Sequence, residues 1–352
     1  MRPRYPQLAL SLRYRFHSPN GYKNHIVSIW TWEKLEGFHT ASARGHTGIM
    51  TLTAGAPGRP EQPPIGLLLD VDGPVSSPVT RTVPPEIIHS LLVMAKRGWP
   101  IVFNTGRSDH FIREQVMEPM LAAGMPAGVR CYAVCEKGAV WFSFTADGPG
   151  TIHVDHSLAP PQEFAAEVRK LVSSGYSSLM FFDETKKAMV SVEQVVGTEN
   201  REYRRVQEKF DAEVLALMGR FDMGATRLDQ HLPDSDDRID YRVDPNIIAT
   251  DIESVQLGKD LGAQRALEML AADGVVPHAW RTMGDSRTDY AMSDLLHHNG
   301  HAVLHVDVRP AEGVPEKPYP VLTAAHLGFP KAVHEEAGAA FLRTWAAIAQ
   351  TL

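Results

Sequence analysis

Short apolar runs alternate with helical apolar patterns along much of the chain. Ile65–Asp70 is a continuous apolar run that ends in a carboxylate, which is typical of a strand buried on both faces. The spacing of apolar residues over Pro84–Arg97 predicts a helix that begins at prolines. A second strand is predicted at Pro100–Asn104 and a second helix at Asp109–Ala123. This strand–helix alternation indicates a parallel sheet.

From Cys131 onward the order changes to a mixture of strands and helices. The predicted strands are Cys131–Cys135, Ala139–Phe144, Thr151–His156, Leu179–Phe182, Ala188–Val192, Met223–Leu228 and Ile239–Val243, and the predicted helices are Pro161–Ser173 and Arg201–Met218. Alternation of helix and strand then returns. The predicted helices are Gly258–Asp273, Thr288–Leu296 and Lys331–Ala349, and the predicted strands between them are Trp280–Met283 and Ala302–Val306. We therefore expect an α/β fold in which a Rossmann-like parallel sheet is interrupted in sequence by an inserted α+β domain.

Residues 1–63 follow neither period and end in a run rich in proline and glycine, Ala54–Pro64, which is typical of a linker. They hold eight basic and three acidic residues, a net charge of +5, whereas the remainder carries −12. Three interpretations stay open: a disordered extension, an arm that binds a partner, or translated upstream sequence with the true start at Met50. We expect an extension that takes no part in the chemistry.

Composition excludes several classes of protein. The chain has 352 residues, which suits two domains with an appendage, and 43% hydrophobic residues with 22% charged ones exclude collagen-like, coiled-coil and wholly disordered chains. No apolar run approaches the roughly 18–20 residues of a membrane-spanning helix. The formal charge of −7 argues against a general nucleic-acid binder. Two cysteines cannot form a disulfide framework, so we expect a cytoplasmic protein.

The first candidate for chemistry is Asp70-Val-Asp72-Gly-Pro, directly after the first predicted strand. In open α/β sheets, active sites lie beyond the carboxyl ends of the strands. Two carboxylates two residues apart point to the same side of an extended chain, so one could attack a substrate while the other transfers protons. The alternative is a pair of turn aspartates, because Asp-Gly is a common turn signal.

Two later segments also follow predicted strands. Asn104–Ser108 (Asn-Thr-Gly-Arg-Ser) offers a hydroxyl and backbone amides beside a helix start, which suits a phosphate, although a helix cap with a glycine turn is the simpler alternative. Asp285 and Asp289 could both bind one cation such as Mg²⁺, or merely cap a turn. Lys259 opens a predicted helix, where it could neutralise carboxylates and phosphate oxygens or simply be solvated.

Taken together, these segments resemble the motifs of the haloacid dehalogenase (HAD) superfamily of phosphatases and phosphotransferases. The four motifs, in family order, are Asp70-Val-Asp72-Gly, Thr105-Gly-Arg, Lys259 and Gly284-Asp285-Ser-Arg-Thr-Asp289. The resemblance spans about residues 64–310, and the conjunction is far more specific than any one motif. It implies a Rossmann-like HAD core with the motifs at the ends of its strands.

The position of the insert, between the second and third motifs, resembles the type II cap of Cof-like and sucrose- or trehalose-phosphate phosphatases. Glu136–Ala139 resembles a Glu-Asn-Gly-Ala stretch that such proteins carry before the cap, with Lys137 in place of the asparagine. The implied division is an N-terminal extension (1–63), a core (64–144 and 249–352) and a cap (145–248). In such enzymes the cap covers the site and selects the substrate.

The resemblance implies a role for each motif residue. Asp70 would be the nucleophile that forms an aspartyl-phosphate, and Asp72 would protonate the leaving oxygen and then activate water. The implied phosphate-binding groups are Thr105, the backbone of Gly106, and Lys259. The implied Mg²⁺ ligands are Asp70, the carbonyl of Asp72, Asp285 and Asp289. A cation and a lysine are needed because a carboxylate that attacks an anionic phosphate is repelled by it.

We therefore expect a Mg²⁺-dependent phosphomonoester hydrolase that acts on a small phosphorylated metabolite, such as a sugar phosphate, with neither nucleic acid nor membrane as a partner. Two alternatives stay open: a sugar phosphomutase, and a non-catalytic protein that binds a metabolite with the same fold. The candidate substrate-binding residues of the cap are Asp183, Glu184, Lys186, Lys187 and Arg201. The sequence predicts no oligomeric state.

Overall fold

A computed structural model describes residues 65–351 and, before them, the backbone of two strands. These are β1 (Ala9–Arg15) and β2 (Asn24–Trp30), which pair antiparallel. The sequence pattern predicted neither strand. The other residues of the predicted extension, including Met50 and the linker before Pro64, lie outside the described residues, as does Leu352.

The first described stretch of the main body contains both predicted βα units and a following antiparallel hairpin. Its elements are β3 (Ile65–Leu69), α1 (Pro85–Lys96), β4 (Ile101–Asn104), α2 (Asp109–Ile112), α3 (Glu118–Ala122), β5 (Cys131–Cys135), β6 (Val140–Thr145), β7 (Gly148–Pro149) and β8 (His153–Val154). One wide π-helical turn, Arg113–Met117, joins α2 to α3, so the predicted helix over residues 109–123 is continuous.

The middle stretch builds a separate sheet covered by two helices. Its elements are α4 (Gln162–Gly175), β9 (Met180–Phe182), β10 (Val190–Gln194), α5 (Asn200–Arg220), β11 (Ala225–Arg227), β12 (Gln230–Leu232), β13 (Tyr241–Pro245) and β14 (Ala249–Ser254). The strand order is β12-β11-β13-β14-β10-β9, and all pairs are antiparallel except β11 with β13. We call these residues, 156–254, the cap.

The last stretch returns to the first sheet. Its elements are α6 (Lys259–Ala272), β15 (Ala279–Gly284), α7 (Tyr290–His298), β16 (Ala302–Asp307), β17 (Val321–Leu322) and α8 (His334–Thr351). The strands follow the order β17-β16-β15-β3-β4-β5 in parallel, and β6, β7 and β8 extend the sheet antiparallel beyond β5. The predicted α/β fold, with a central parallel sheet and an inserted α+β part, is confirmed.

Helices cover both faces of the central strands. Leu67 and Leu69 of β3 belong to the apolar cluster that includes Phe341 of α8, whereas Leu68 belongs to the cluster on the other face, with Trp280. Alternate residues of a strand point to opposite faces, so β3 is buried on both sides, as its unbroken apolar sequence predicts. Within residues 65–351, no helix combines the length and apolar character that crossing a membrane requires.

The change from one sheet to the other differs from the predicted boundaries. A core that resumes at residue 249 would include β14, yet β14 pairs with β10 and β13 of the cap sheet. The hairpin strands β7 and β8 lie beyond residue 144 but pair with β6 of the core sheet. β14 is the sequence Ala-Thr-Asp-Ile-Glu-Ser, whose single large apolar residue gives little strand signal. The division into two domains stays a proposal, with its boundaries near residues 155 and 255.

Candidate active site

Three parallel neighbours, β15, β3 and β4, end at the same edge of the central sheet. Asp70 follows β3, Asn104 is the last residue of β4, and Asp285 follows β15. Residues that lie far apart in the chain therefore meet at this edge, where ligands of open α/β sheets bind. Lys259, the first residue of α6, reaches the same place from the neighbouring helix layer.

A buried lysine links two of the motif carboxylates. The Nζ atom of Lys259 lies 2.5 Å from Oδ1 of Asp70 and 2.9 Å from Oδ1 of Asp289, and it also donates to the backbone carbonyl of Asn104 at 2.7 Å. Burial opposes the charge of Lys259, but the two carboxylates outweigh it and raise the pKa of the lysine. The ammonium of Lys259 therefore stays charged and can bind an anion at this edge of the sheet.

The pKa values of the two carboxylates that contact Lys259 shift in opposite directions. Burial, together with the neighbouring charge of Asp289, raises the pKa of Asp70 well above its usual range, and Lys259 offsets only part of this effect. Burial would also raise the pKa of Asp289, but Lys259 and the Ser286 hydroxyl outweigh it and lower that pKa. Asp289 therefore stays negatively charged, whereas the ionised form of Asp70 needs further positive charge nearby to stabilise it.

The loop after β15 holds Asp289 rigidly. One carboxylate oxygen, Oδ2, accepts hydrogen bonds from the backbone N–H groups of Asp285 and Ser286 and from the Ser286 hydroxyl, at 2.8–3.1 Å. Across the site, Gly73 has a φ of +92°, and a Cβ at this position would lie 2.7 Å from Oδ2 of Asp285. Only glycine lets the chain turn away so close to that carboxylate.

Three carboxylates could hold a cation. Asp70, Asp285 and Asp289 each offer an oxygen, and these atoms lie within 4.8 Å of one another. Burial, with the charge of Asp289, raises the pKa of Asp285 to about 6. Three acidic groups facing one lysine leave an excess of negative charge, and carboxylate oxygens are the ligands that Mg²⁺ prefers, so these residues fit the predicted ion. Asp72 is not among the clustered carboxylates.

The predicted phosphate-binding residues Thr105 and Gly106 directly follow Asn104, which contacts Lys259. Thr105 is fully buried, and its hydroxyl accepts a hydrogen bond from the backbone N–H of Arg107 at 3.1 Å. The side chain of Asn104 donates to the carbonyl of Lys259 at 2.9 Å, which ties the end of β4 to the start of α6. Lys259 in turn donates to the carbonyl of Asn104, so the segment with Thr105 and Gly106 directly follows a residue that contacts this lysine.

Arg107 has a role that the sequence analysis did not assign. Its Nε lies 2.9 Å from Oδ2 of Asp72 and its Nη2 lies 3.0 Å from Oδ1, so the guanidinium binds that carboxylate in a two-pronged arrangement. Its Nη1 lies 3.5 Å from Oε1 of Glu193, a residue of the cap. Arg107 thus connects the second aspartate of the first motif to the cap sheet.

One face of the cap sheet is polar and covers this edge of the core. The polar residues of this face are Ser191, Glu193, Arg242, Asp244, Asp251 and Glu253. Lys137 of the core reaches it, with Nζ 2.7 Å from Glu253, 3.3 Å from Asp244 and 3.5 Å from Asp251. The strict apolar–polar alternation of Val-Ser-Val-Glu in β10 is the signal that could have identified this face from sequence.

The candidate substrate residues of the cap differ in their positions. Lys186 donates to the carbonyl of Gly106 at 2.5 Å, and Lys187 forms an ion pair with Asp109 of the core. Asp183 accepts hydrogen bonds from the hydroxyl and the backbone N–H of Thr185, in the same segment.

The other two candidates lie away from the motifs. Glu184 is exposed and pairs with Arg169 on α4, and Arg201 is exposed in the first turn of α5. Both helices contribute to the apolar cluster with Val190 and Val192, opposite the polar face. The structure therefore brings Lys186 to the candidate site and leaves Glu184 and Arg201 outside it.

The chain resembles several solved structures. Trehalose-6-phosphate phosphatase from Aspergillus fumigatus is 14% identical, over 82% of this chain and 93% of that chain, with a TM-score of 0.44. The sucrose-phosphatase from Synechocystis sp. PCC6803, solved with sucrose and phosphate, is 15% identical over 82% and 98%, with a TM-score of 0.40. A HAD/COF-like hydrolase from Plasmodium vivax is 16% identical over 82% and 97%, with a TM-score of 0.47.

No protein-family model matches the sequence, and no curated protein matches it either. The solved structures named above carry the names of the group that the four motifs resemble. Because the identities are this low and the TM-scores are below 0.5, the function of this chain has to be argued from its own side chains.

Proposed function

We propose that this protein is a Mg²⁺-dependent phosphomonoester hydrolase that acts on a small phosphorylated metabolite, with a sugar phosphate as the favoured class. The observation that carries the proposal is the position of Lys259, buried between Asp70 and Asp289 and bonded to the carbonyl of Asn104, the residue before Thr105 and Gly106. A fixed cation next to a carboxylate suits a phosphoryl group that is being transferred.

In this proposal Asp70 is the nucleophile. An oxygen of its carboxylate attacks phosphorus, the bond from phosphorus to the ester oxygen breaks, and Asp72 gives a proton to the alcohol that leaves. Asp72 then takes a proton from water, whose oxygen attacks the phosphorus of the aspartyl-phosphate. The second step releases inorganic phosphate and restores the Asp70 carboxylate, so each atom and proton is accounted for.

Charge neutralisation is the main demand on the site. The burial that raises the pKa of Asp70 also means that its anion lacks water to stabilise it, and an incoming phosphate monoester adds negative charge. Lys259 offsets part of this charge. Asp70, Asp285 and Asp289 would hold Mg²⁺, which supplies Lewis-acid stabilisation of the phosphoryl oxygens when it is bound. Asp289, anchored by three hydrogen bonds, keeps Lys259 in place.

The polar face of the cap supports a polyhydroxylated leaving group. Acidic groups such as Glu193 and Asp251 can accept hydrogen bonds from hydroxyls, and Arg107 and Lys137 can donate to them. These charged groups pair with one another, so a leaving group that enters among them must replace some of those pairs, which hydroxyls can do and an apolar group cannot. Sugar phosphates therefore suit this polar face better than apolar phosphate esters do.

The test is release of inorganic phosphate from a panel of phosphate esters in the presence of Mg²⁺. We expect Asp70→Asn to lower turnover by at least about 10³-fold, because the nucleophile is lost. Asp147→Asn, which changes an exposed aspartate in the turn before β7, should keep wild-type turnover. Undiminished hydrolysis by Asp70→Asn would contradict the mechanism, and conversion of a sugar phosphate to an isomer without phosphate release would identify a mutase instead.

A further inference from the structure

Lys137 has a backbone conformation that suits asparagine better than lysine. Its φ is +54°, in the left-handed region, and it lies between Glu136 at +47° and Gly138 at +108°. Residues with a side chain seldom adopt this conformation, and asparagine adopts it several times more readily than most of them. The turn itself therefore does not call for a lysine, and the reason for one lies in the contacts of its side chain.

The backbone of Lys137 joins two segments of the candidate active site. Its N–H donates to the carbonyl of Thr105 at 3.0 Å, and its carbonyl accepts from the N–H of Gly258, directly before Lys259, at 2.9 Å. The side chain then passes Gly106, where a Cβ would lie 3.6 Å from the Cε atom of Lys137. Lys137 is thus anchored to the core from its backbone to the end of its aliphatic stem.

The ammonium of Lys137 lies among three carboxylates of the cap. Its Nζ atom is 2.7 Å from Glu253, 3.3 Å from Asp244 and 3.5 Å from Asp251. Among the residues that the structure describes, no other basic side chain lies within 4 Å of Asp244 or Asp251. Burial opposes the charge of Lys137, but the three carboxylates outweigh it and raise the pKa of the lysine. Without this ammonium, like charges would be gathered against the core.

We propose that Lys137 is a latch, a positioning residue of the core that holds the cap closed over the candidate active site by binding carboxylates of β13 and β14. When the latch is broken, the carboxylates repel one another, and separation of the cap from the core lets water solvate them. The fraction of molecules whose site is covered then depends on this side chain. Closure of the cap is a step outside the proposed hydrolase chemistry, so the latch does not depend on that proposal.

Other contacts between cap and core remain when the latch is removed. Lys186 still donates to the carbonyl of Gly106, and Lys187 still pairs with Asp109. The expected effect of a Lys137 variant is therefore a shift in the equilibrium between closed and open molecules, and not the loss of the fold.

The distance between a spin label on the cap and one on the core measures closure directly. Cys131 and Cys135 are fully buried, so cysteines introduced at exposed positions by Glu208→Cys on α5 and His89→Cys on α1 can be labelled selectively. Double electron–electron resonance on the full-length protein, without substrate or metal, then gives the closed and open populations. We expect Lys137→Met to raise the ratio of open to closed molecules by about tenfold, the effect of losing a hydrogen bond between charged groups.

A second substitution separates the charge from the turn. Lys137→Asn suits the left-handed backbone but lacks the ammonium, so it should open the cap as much as Lys137→Met does. Lys170→Met removes an exposed lysine of α4 and should keep the wild-type distances. If Lys137→Asn stays closed while Lys137→Met opens, the shape of the turn and not the charge holds the cap, and the inference is overturned.

A double variant tests whether the ammonium acts through the cap carboxylates. Glu253→Gln changes the carboxylate closest to Nζ and should also raise the open fraction. Adding it to Lys137→Met should cause almost no further opening, because both substitutions break the same contact. Fully additive shifts would mean that the two residues act through separate contacts, which would overturn the latch.

The outcomes also separate the latch from the proposed function. Equal distances in the wild type and in Lys137→Met overturn the latch, whatever the panel of phosphate esters shows. A wild type that hydrolyses no ester would contradict the proposed function, but the latch would stand if Lys137→Met still opens the cap.

Discussion

The ammonium of Lys259 lies 2.5 Å from Oδ1 of Asp70, although 189 positions separate the two residues in the chain. The contact forms because β3 ends and α6 begins at the same edge of the central sheet, on either side of the inserted cap. Both side chains are buried, and Asp289 completes the group on the other side of the ammonium. The stability of this edge and the proposed chemistry therefore depend on the same ion pair.

Replacing this lysine should destabilise the metal-free protein. In Lys259→Met the carboxylates of Asp70 and Asp289 keep their burial but lose their common cation, and breaking a buried pair in this way costs about 3–5 kcal/mol. Urea unfolding in the presence of a chelator measures the loss. Lys209→Met removes a lysine whose side chain is 74% exposed and should change the free energy of unfolding little. Equal unfolding midpoints for the two variants would contradict this account.

Mg²⁺ should stabilise the folded protein through the three clustered carboxylates. A ligand that binds only the folded state adds about 2.7 kcal/mol at a concentration 100 times its Kd, so the melting temperature should rise as Mg²⁺ is added. Asp285→Asn removes one of the three oxygen donors and should abolish most of this rise. Asp147→Asn should retain the rise. An Asp285→Asn protein that gains as much from Mg²⁺ as the wild type would place the ion elsewhere.

The sequence predicted the parts of the site that depend on short motifs. Asp70, Asp285 and Lys259 each lie next to a strand end or a helix start that the apolar pattern had identified, so their meeting follows from the topology of a parallel sheet. The central sheet was predictable for the same reason, because its buried strands are continuous apolar runs bounded by turn residues.

The contacts between cap and core could not be predicted in the same way. The pairing of Glu193 with Arg107 depends on how the cap sheet lies over the core, which no local pattern determines. Glu253 was missed because β14 carries mostly polar residues and was assigned to the core. Glu184 and Arg201 were selected for their charge alone, and a charged side chain on a helix or loop is as often on the outer surface.

Stability should fall at mildly acidic pH because of one buried histidine. His305 is fully buried, with Nδ1 against the hydroxyls of Thr282 and Ser293, and burial lowers its pKa to about 4 from an ordinary 6.5. Between these two values the unfolded chain binds the proton and the folded chain does not. The contribution of His305 is therefore complete above about pH 6.5 and decreases as the pH falls towards 4.

The measurement is the free energy of unfolding at pH 7 and at pH 5. Over this interval the wild type should lose about 2 kcal/mol more than His305→Asn, whatever the stability of the variant at pH 7. His298→Asn changes an exposed histidine at the end of α7 and should keep the wild-type dependence on pH. If His305→Asn and the wild type lose the same amount, protonation of His305 does not govern the response.

The cap segment around Lys186 should control substrate affinity. Lys186 donates to the carbonyl of Gly106 at 2.5 Å, and the hydroxyls of its neighbour Thr185 and of Ser108 share a hydrogen bond at 2.7 Å, so this segment fastens the cap to the loop that is proposed to bind phosphate. A hydrogen bond from a charged group contributes about 1.5–3 kcal/mol, so Lys186→Met should lower kcat/KM by about tenfold or more.

Steady-state kinetics with an alkyl phosphate measures the change. Lys170→Met alters an exposed lysine on α4 and should leave kcat/KM unchanged. A loss common to both variants would reflect general damage to the cap, whereas unchanged kinetics in Lys186→Met would mean that this contact plays no part in closing the cap over the substrate.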